Sequence, residues 1–286
     1  MAAVADGARQ RRVAALIEDL GGLDAVLVAF SGGADSAFLL AAAARTLGVD
    51  RVTAATAVSP SLPATELEHA REFAHSLGVR HLTPRTEEMS RAGYRANGGD
   101  RCYFCKAELL DTLAPIAAPL GAVVLTGTNA DDAIAGFRPG IRAAAERGAR
   151  APLRDAGLTK RQIRETSREW GLRTWDKPAA ACLSSRIAYG LQITSQRLAR
   201  VERAEATLRT ALTTDGHRVG DLRVRDLGQG TARIEVGAEL VGVLRARANL
   251  LAGFDTVQVR EFRSGSMNDA LEVPASFPVG TAANKD

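Results

Sequence analysis

The segment that most constrains this chain is Phe30-Ser31-Gly32-Gly33-Ala34-Asp35-Ser36, set between the apolar run Ala25–Phe30 and an Ala/Leu-rich stretch. Two glycines directly after a buried strand and before a helix let the backbone approach a ligand closely. Successive N–H groups and the helix N-terminus can then hold phosphate oxygens. Ser31 and Ser36 add hydroxyl donors. The loop lacks the Lys-Ser/Thr ending of a Walker A motif, which argues against a kinase or motor-type NTPase. The plainer alternative is a glycine-containing strand-to-helix turn with Asp35 as a cap.

Around this loop, short apolar runs alternate with helical stretches. Strands are expected at Ala25–Phe30, Val52–Val58, Val79–Leu82 and Ala122–Thr126, and helices at about Ser36–Leu47, Ala64–Leu77, Lys106–Leu120 and Thr159–Trp170. Val13, Leu16, Ile17 and Leu20 mark an apolar stripe before the first strand. This pattern predicts an α/β domain with a helix-covered parallel sheet, which binds ligands at its strand C-termini. The expected boundaries are 1–176 for that domain and 177–273 for a smaller α+β domain. The second unit should carry a helix over about Ser195–Leu212 and strands near Leu222–Asp226, Ala232–Val236 and Thr256–Phe262. Residues 274–286 lack periodicity and are expected to form a flexible tail.

At 286 residues and 46% hydrophobic, the chain can bury a sizeable core. No apolar run reaches membrane-spanning length and the start lacks a signal-peptide layout, so a cytoplasmic location is expected. The 37 basic and 33 acidic residues are interspersed, giving a formal charge of +4. That balance suits an anionic substrate, whereas nucleic-acid binding calls for a basic, aromatic-interleaved segment that is missing.

A second motif, Leu125-Thr-Gly127-Thr128-Asn-Ala-Asp131-Asp132, puts a glycine turn and two carboxylates where a magnesium-bound polyphosphate would lie. A capped strand-to-helix turn is the alternative. Arg138 and Arg142 follow, either as phosphate ligands or as surface charges. Three cysteines are present: Cys102 and Cys105 in a Cys-x-x-Cys pair, and Cys182 in a small-residue segment directly after the first domain. Disulfides are not expected in a cytosolic chain, so chemistry is the more informative reading. A lone cysteine is often a small buried hydrophobe, but Cys182 has Arg186 four residues on and hydroxyls beside it, a setting that favours a thiolate.

The Ser31–Ser36 hexapeptide resembles the Ser-Gly-Gly-x-Asp-Ser motif of the PP-loop, or N-type, ATP pyrophosphatases, and Gly127–Asp132 resembles their Gly-Thr-x-x-Asp-Asp stretch. The combination of these with Asp100–Lys106, Cys182–Gly190, Arg223-Val-Arg225, Ala232–Val236 and Arg263–Asn268 resembles the LarE family of ATP-dependent sulfur transferases, from about Val13 to Met267. The resemblance implies adenylation of a carboxylate on a nicotinate-derived mononucleotide, with ATP and Mg²⁺. It implies attack on the adenylate by Cys182, which loses its sulfur to give a thiocarboxylate, in the making of a nickel-pincer cofactor for lactate racemase. By the same resemblance Asp35 lies near the metal, Ser31, Gly32, Gly33, Ser36, Gly127, Thr128, Asp131 and Asp132 surround the phosphates, and Arg186, Glu205, Arg223, Arg225 and Arg263 form the substrate or metal region. It further implies a homo-oligomer and contact with other cofactor-biosynthesis proteins. Ile187-Ala-Tyr-Gly190 departs from the Ile-Pro-Tyr-Gly of many relatives. Cys102, Cys105 and Cys182 also match family members whose three thiolates carry a [4Fe–4S] cluster with one open iron. A zinc site, a redox dithiol and plain helix-start residues stay open for the pair. The other functional readings are tRNA thiolation, an ammonia-dependent amidating ligase, and a nucleotide-binding module without chemistry.

Overall fold

A computed structural model describes residues 2–134, 138–178, 181–246 and 251–263. Helix α1 (Ala2–Gly21) leads into β1 (Ala25–Ala29), α2 (Ala34–Leu47), β2 (Val52–Ala55), α3 (Ala64–Ser76) and β3 (Arg80–Leu82). Short α4 (Ala92–Arg95), α5 (Arg101–Ala117), β4 (Ala122–Thr126), α6 (Ala130–Ile134), α7 (Pro139–Glu146), α8 (Pro152–Asp155) and α9 (Lys160–Glu169) complete the first half. The four strands form one parallel sheet in the order β3-β2-β1-β4. Alternation along β1 explains its two covered faces. Val26, Val28 and Phe30 pack with Leu16, Phe38, Phe73 and Ile163 of α1, α2, α3 and α9, while Leu27 and Ala29 pack against Leu113 and Ala117 of α5. Each of the largest fully buried side chains contributes about 1.5–3 kcal/mol of transfer free energy. Helix α2 is buried at every position from Ser36 to Ala43, so the phosphate-type loop is anchored on the best-packed helix of the core.

Helix α5 starts at Arg101, five residues before the expected Lys106, so Cys102 and Cys105 sit in its first two turns. The extra turns are held by tertiary packing, since Phe104 and Cys105 pack against Tyr94, Leu183 and Ile187. Helix α9 is capped by Thr159 and Gln162 in a reciprocal capping box.

The second half contains α10 (Ser195–Thr214), β5 (Leu222–Gly228), β6 (Thr231–Val236), α11 (Ala238–Arg245) and β7 (Thr256–Glu261). β5 and β6 pair antiparallel and β6 and β7 parallel, a small mixed sheet with its own core against α10 and α11. A third apolar cluster joins the halves: Tyr94 meets Leu183, Ile187 and Ile193 of the connecting segment and Leu198 and Val201 of α10. The expected tail 274–286 lies outside the described residues. No helix among the described residues is long and apolar enough to cross a membrane.

Candidate active site

A cavity of about 420 Å³ opens at the C-terminal ends of β1, β2 and β4. Its floor is the Ser31–Ser36 loop. Gly32 has φ of +72°, a left-handed conformation that glycine adopts without strain. The Ser36 hydroxyl donates to the Gly33 carbonyl at 3.2 Å and lies 3.1 Å from the Ser31 hydroxyl, so the two serines hold the loop closed on itself. Gly127 ends β4 against this loop so tightly that a Cβ there would lie 2.9 Å from the Ser36 nitrogen. The second motif is therefore docked on the first. Asn129, fully buried, donates from Nδ2 to Asp35 Oδ2 at 3.0 Å and accepts the Asp132 N–H at 3.0 Å, which links the two carboxylates facing the cavity. Burial raises the Asp35 pKa, and the charge of Asp132 raises it further. Two such carboxylates repel each other until a cation lies between or beside them.

Basic side chains line the rest of the cavity: Lys106 from α5, Lys160 and Arg164 from α9, and Lys177 from the connecting segment. Lys160 Nζ lies 3.0 Å from Asp132, and Lys177 Nζ donates to the Gly32 carbonyl at 3.0 Å while pairing with Glu66 at 2.8 Å. Burial lowers the Lys106 pKa, and Cys105 and Cys102 act the other way. Lys160 and Arg164, with Lys177 balanced by Glu66 and Lys106 adding a charge when protonated, give the chamber a basic lining suited to a polyphosphate.

The Cys182 loop sits at the edge of that chamber. Pro178 lines the cavity four residues earlier, and the Leu183 N–H donates to the Ser61 carbonyl at 2.8 Å, beside cavity-lining Leu62. The Cys182 carbonyl accepts from the Ser185 hydroxyl at 2.7 Å and from Arg186 Nη1 at 3.3 Å. Arg186 is fixed by Glu205, at 2.8 and 3.1 Å, and Arg225 joins Glu235 at 2.8 Å to the Ser185 carbonyl at 2.7 Å. The thiol itself is exposed. A hydrogen-bonded backbone thus carries an exposed thiol four residues beyond the cavity-lining Pro178.

No family model matches the chain. It is 42% identical over 264 residues to an uncharacterised protein of Synechocystis sp., spanning 88% of this chain and 94% of that one. It is 35% identical over 267 residues to the pyridinium-3,5-bisthiocarboxylic acid mononucleotide synthase of Lactiplantibacillus plantarum, spanning 90% of this chain and 94% of the relative. The chain belongs to this synthase family, LarE. An uncharacterised protein of Methanocaldococcus jannaschii is 26% identical over 233 residues.

Within this LarE-family chain the structure sorts the expected site residues. Ser31, Gly33, Asp35, Ser36, Gly127, Thr128 and Asp132 line one cavity. Gly32 turns away and lines a neighbouring cavity with Phe73 and Thr174. Asp131 Oδ2 accepts the Lys160 N–H at 2.8 Å at the start of α9, and Asp131 is not among the residues that line the cavity. Arg138 reaches Asp132 only at 3.9 Å, and Arg142 lies over the Tyr103 ring and beside Glu146 on the surface. Glu205 and Arg225 are engaged internally in holding the Cys182 loop, Arg223 donates to its own sheet at the Leu222 carbonyl, and Arg263 is exposed. Ser264–Asn268 lies outside the described residues. Lys106, Arg164 and Lys177 line the cavity, and Asn129 lies buried behind Asp35, without having been named as candidate site residues. Asn129 and Lys106 stand inside the Gly127–Asp132 and Asp100–Lys106 motifs and Arg164 in the Lys160–Arg164 stretch that PP-loop relatives share, whereas Lys177 carries no signal beyond being basic at the domain boundary.

Asp35 and Asp132 form an oxygen donor pair that suits Mg²⁺, which takes one or two carboxylates together with substrate phosphates and water. The cysteines fit a cluster less well. Cys102 and Cys182 are exposed and Cys105 is half-buried, and burial pushes the Cys105 thiol pKa up, with Cys182 and Cys102 adding to that. Among the described residues no three Cys, His, Asp or Glu side chains converge to hold a metal ion.

Proposed function

We propose that this chain adenylates a carboxylate of a pyridinium mononucleotide with ATP and replaces one carboxylate oxygen by the sulfur of Cys182. The observation that supports the reading most is the docking of the Cys182 loop on Ser61, at the rim of the cavity built from both phosphate-type motifs. ATP would lie with its phosphates along Ser31–Ser36 and its charge met by Lys106, Lys160, Arg164 and Lys177. Mg²⁺ held by Asp35 and Asp132 would neutralise the polyphosphate. The substrate carboxylate displaces pyrophosphate from the α-phosphate. The Cys182 thiol proton passes to solvent as Sγ attacks the carbonyl carbon, AMP leaves with the C–O electron pair, and a thioester joins substrate and protein. For sulfur release the Cys182 Cα–H proton passes to solvent. Its electron pair becomes the Cα–Cβ double bond, and the sulfur leaves with the Cβ–S pair as a thiocarboxylate.

The first half of the chain, residues 1–176, acts in this reading as the adenylating domain, and 177–273 as the domain that presents sulfur and substrate. The test is product analysis with Mg²⁺-ATP and candidate acids. AMP and pyrophosphate should form only when the carboxylate substrate is present. ADP as the main product would overturn the reading. Cys102 and Cys105 beside Cys182 keep a cluster-borne sulfur as the second reading. Brown protein after anaerobic purification, loss of activity in Cys102→Ala and Cys105→Ala, and repeated turnover with added sulfide would favour it.

A further inference from the structure

Arg101 opens α5 one residue before Cys102, and only 6% of its surface is exposed. Its Nη1 donates to Asn97 Oδ1 at 2.6 Å and to the Ser184 carbonyl at 3.0 Å, and the guanidinium lies 5.5 Å from the centre of the Tyr189 ring. Every one of these partners is neutral. The other buried arginines among the described residues all reach a carboxylate: Arg9 meets Asp6 and Glu169, Arg186 meets Glu205, Arg223 meets Asp221 and Arg225 meets Glu235. Among these buried arginines Arg101 alone has no carboxylate within ion-pair distance.

A guanidinium does not shed its proton in a protein, so this charge is permanent, and burying it without an anion is strongly unfavourable. Its hydrogen bonds do not account for it, because a neutral amide could donate to the same two oxygens. Burial opposes the charge, and the groups that would most favour it, once ionised, are the sulfurs of Cys182 and Cys102, in that order. The Ser184 carbonyl that Arg101 grips is two residues beyond Cys182, so one side chain ties the start of α5 to the sulfur loop.

We propose that Arg101 is the counter-cation of sulfur transfer, a positioning residue whose fixed charge supports negative charge on the Cys182 sulfur as it attacks and again as it departs in the thiocarboxylate. This rests on Cys182 being the sulfur donor. Arg186 cannot fill the same role, since Glu205 already balances its charge.

Local charge at Cys182 can be read without turnover by comparing size-matched methanethiosulfonate reagents, one anionic and one cationic, with modification followed on the Cys182 peptide by mass spectrometry. In the wild-type protein the anionic reagent should react faster. Arg101→Gln should lower the anion-to-cation rate ratio by about tenfold, and Arg101→Lys should keep it. In single-turnover assays Arg101→Gln should release pyrophosphate within about twofold of wild type while thiolation slows about 100-fold. No anionic preference at wild-type Cys182 would overturn the proposal, and that arm stands even if Arg101→Gln fails to fold. An unchanged ratio in a folded Arg101→Gln protein would overturn it too. If wild-type protein shows the preference but never thiolates a substrate from Cys182, the functional reading fails and the electrostatic assignment survives.

Discussion

Asp35 and Cys182 divide the proposed chemistry between side chains that belong to different loops and share no hydrogen bond, so each can be removed separately. Asp35→Ala should cut pyrophosphate release at least about 100-fold while thermal unfolding stays near wild type, because the carboxylate faces the chamber and supports no apolar contact. Normal release in a folded variant would make Asp35 merely part of the turn. Cys182→Ser should end thiolation and keep pyrophosphate release within about threefold. Thiolation surviving that change would remove the sulfur donor from the account. Much of the residue scale was legible, since Ser31, Gly33, Ser36 and Asp132 meet where the two motifs place them. Adjacent acids were not. Sequence cannot say which of Asp131 and Asp132 turns inward, because helix phase decides it. Nor does it show that Glu205 and Arg225 are occupied, because their partners come from distant elements.

Elements transmit these positions through a few close approaches. Gly127→Ala would drive a methyl group into the Ser36 backbone, so β4 and the start of α2 must separate. We expect a loss of about 1–3 kcal/mol in unfolding free energy. ATP affinity should fall with it in equilibrium binding, and unaltered stability and affinity would show that the contact is slack. In the second half, fully buried Asp226 at the β5 bulge accepts from the Gly228 N–H at 2.9 Å and pairs with Arg197 at 2.9 Å and Arg200 at 2.5 Å. Burial raises its pKa, but the Gly228 N–H and the two arginines more than offset this and hold it below the usual carboxylate range. A carboxyl that titrates lower folded than unfolded gives its full stabilisation at neutral pH and loses it as pH falls through the acid range. Asp226→Asn should cost about 3 kcal/mol at pH 7 and flatten the acid side of the stability profile. An acid limb identical to wild type would place that pH dependence elsewhere. Strand and helix periodicity predicted the seven strands and the longer helices, but not the short helices α4, α6, α7 and α8. Nor did it predict the start of α5, where Cys102 and Phe104 follow no amphipathic period and the turns are fixed by packing against the connecting segment.

At the scale of the whole molecule, two sheets with separate cores meet through the Tyr94–Leu183–Leu198 cluster, and the segment between them carries the sulfur. The parallel sheet was readable from alternation and from the loop after β1. The junction was not, because residues 181–194 hold one short helical turn, Leu183–Arg186, and little other regular structure, and their place is set by contacts from both sides: Ser61, Asn97 and Asp226 bind this backbone. That junction leaves the proposed transfer resting on one sulfur atom. Its most direct test is the intact mass of the protein before and after reaction with Mg²⁺-ATP and substrate, with the Cys182 peptide sequenced in each sample. The account predicts that each thiocarboxylate formed leaves one chain lighter by the mass of H₂S, with dehydroalanine at position 182. Product formed in excess of the protein, with Cys182 intact and the mass unchanged, would contradict it.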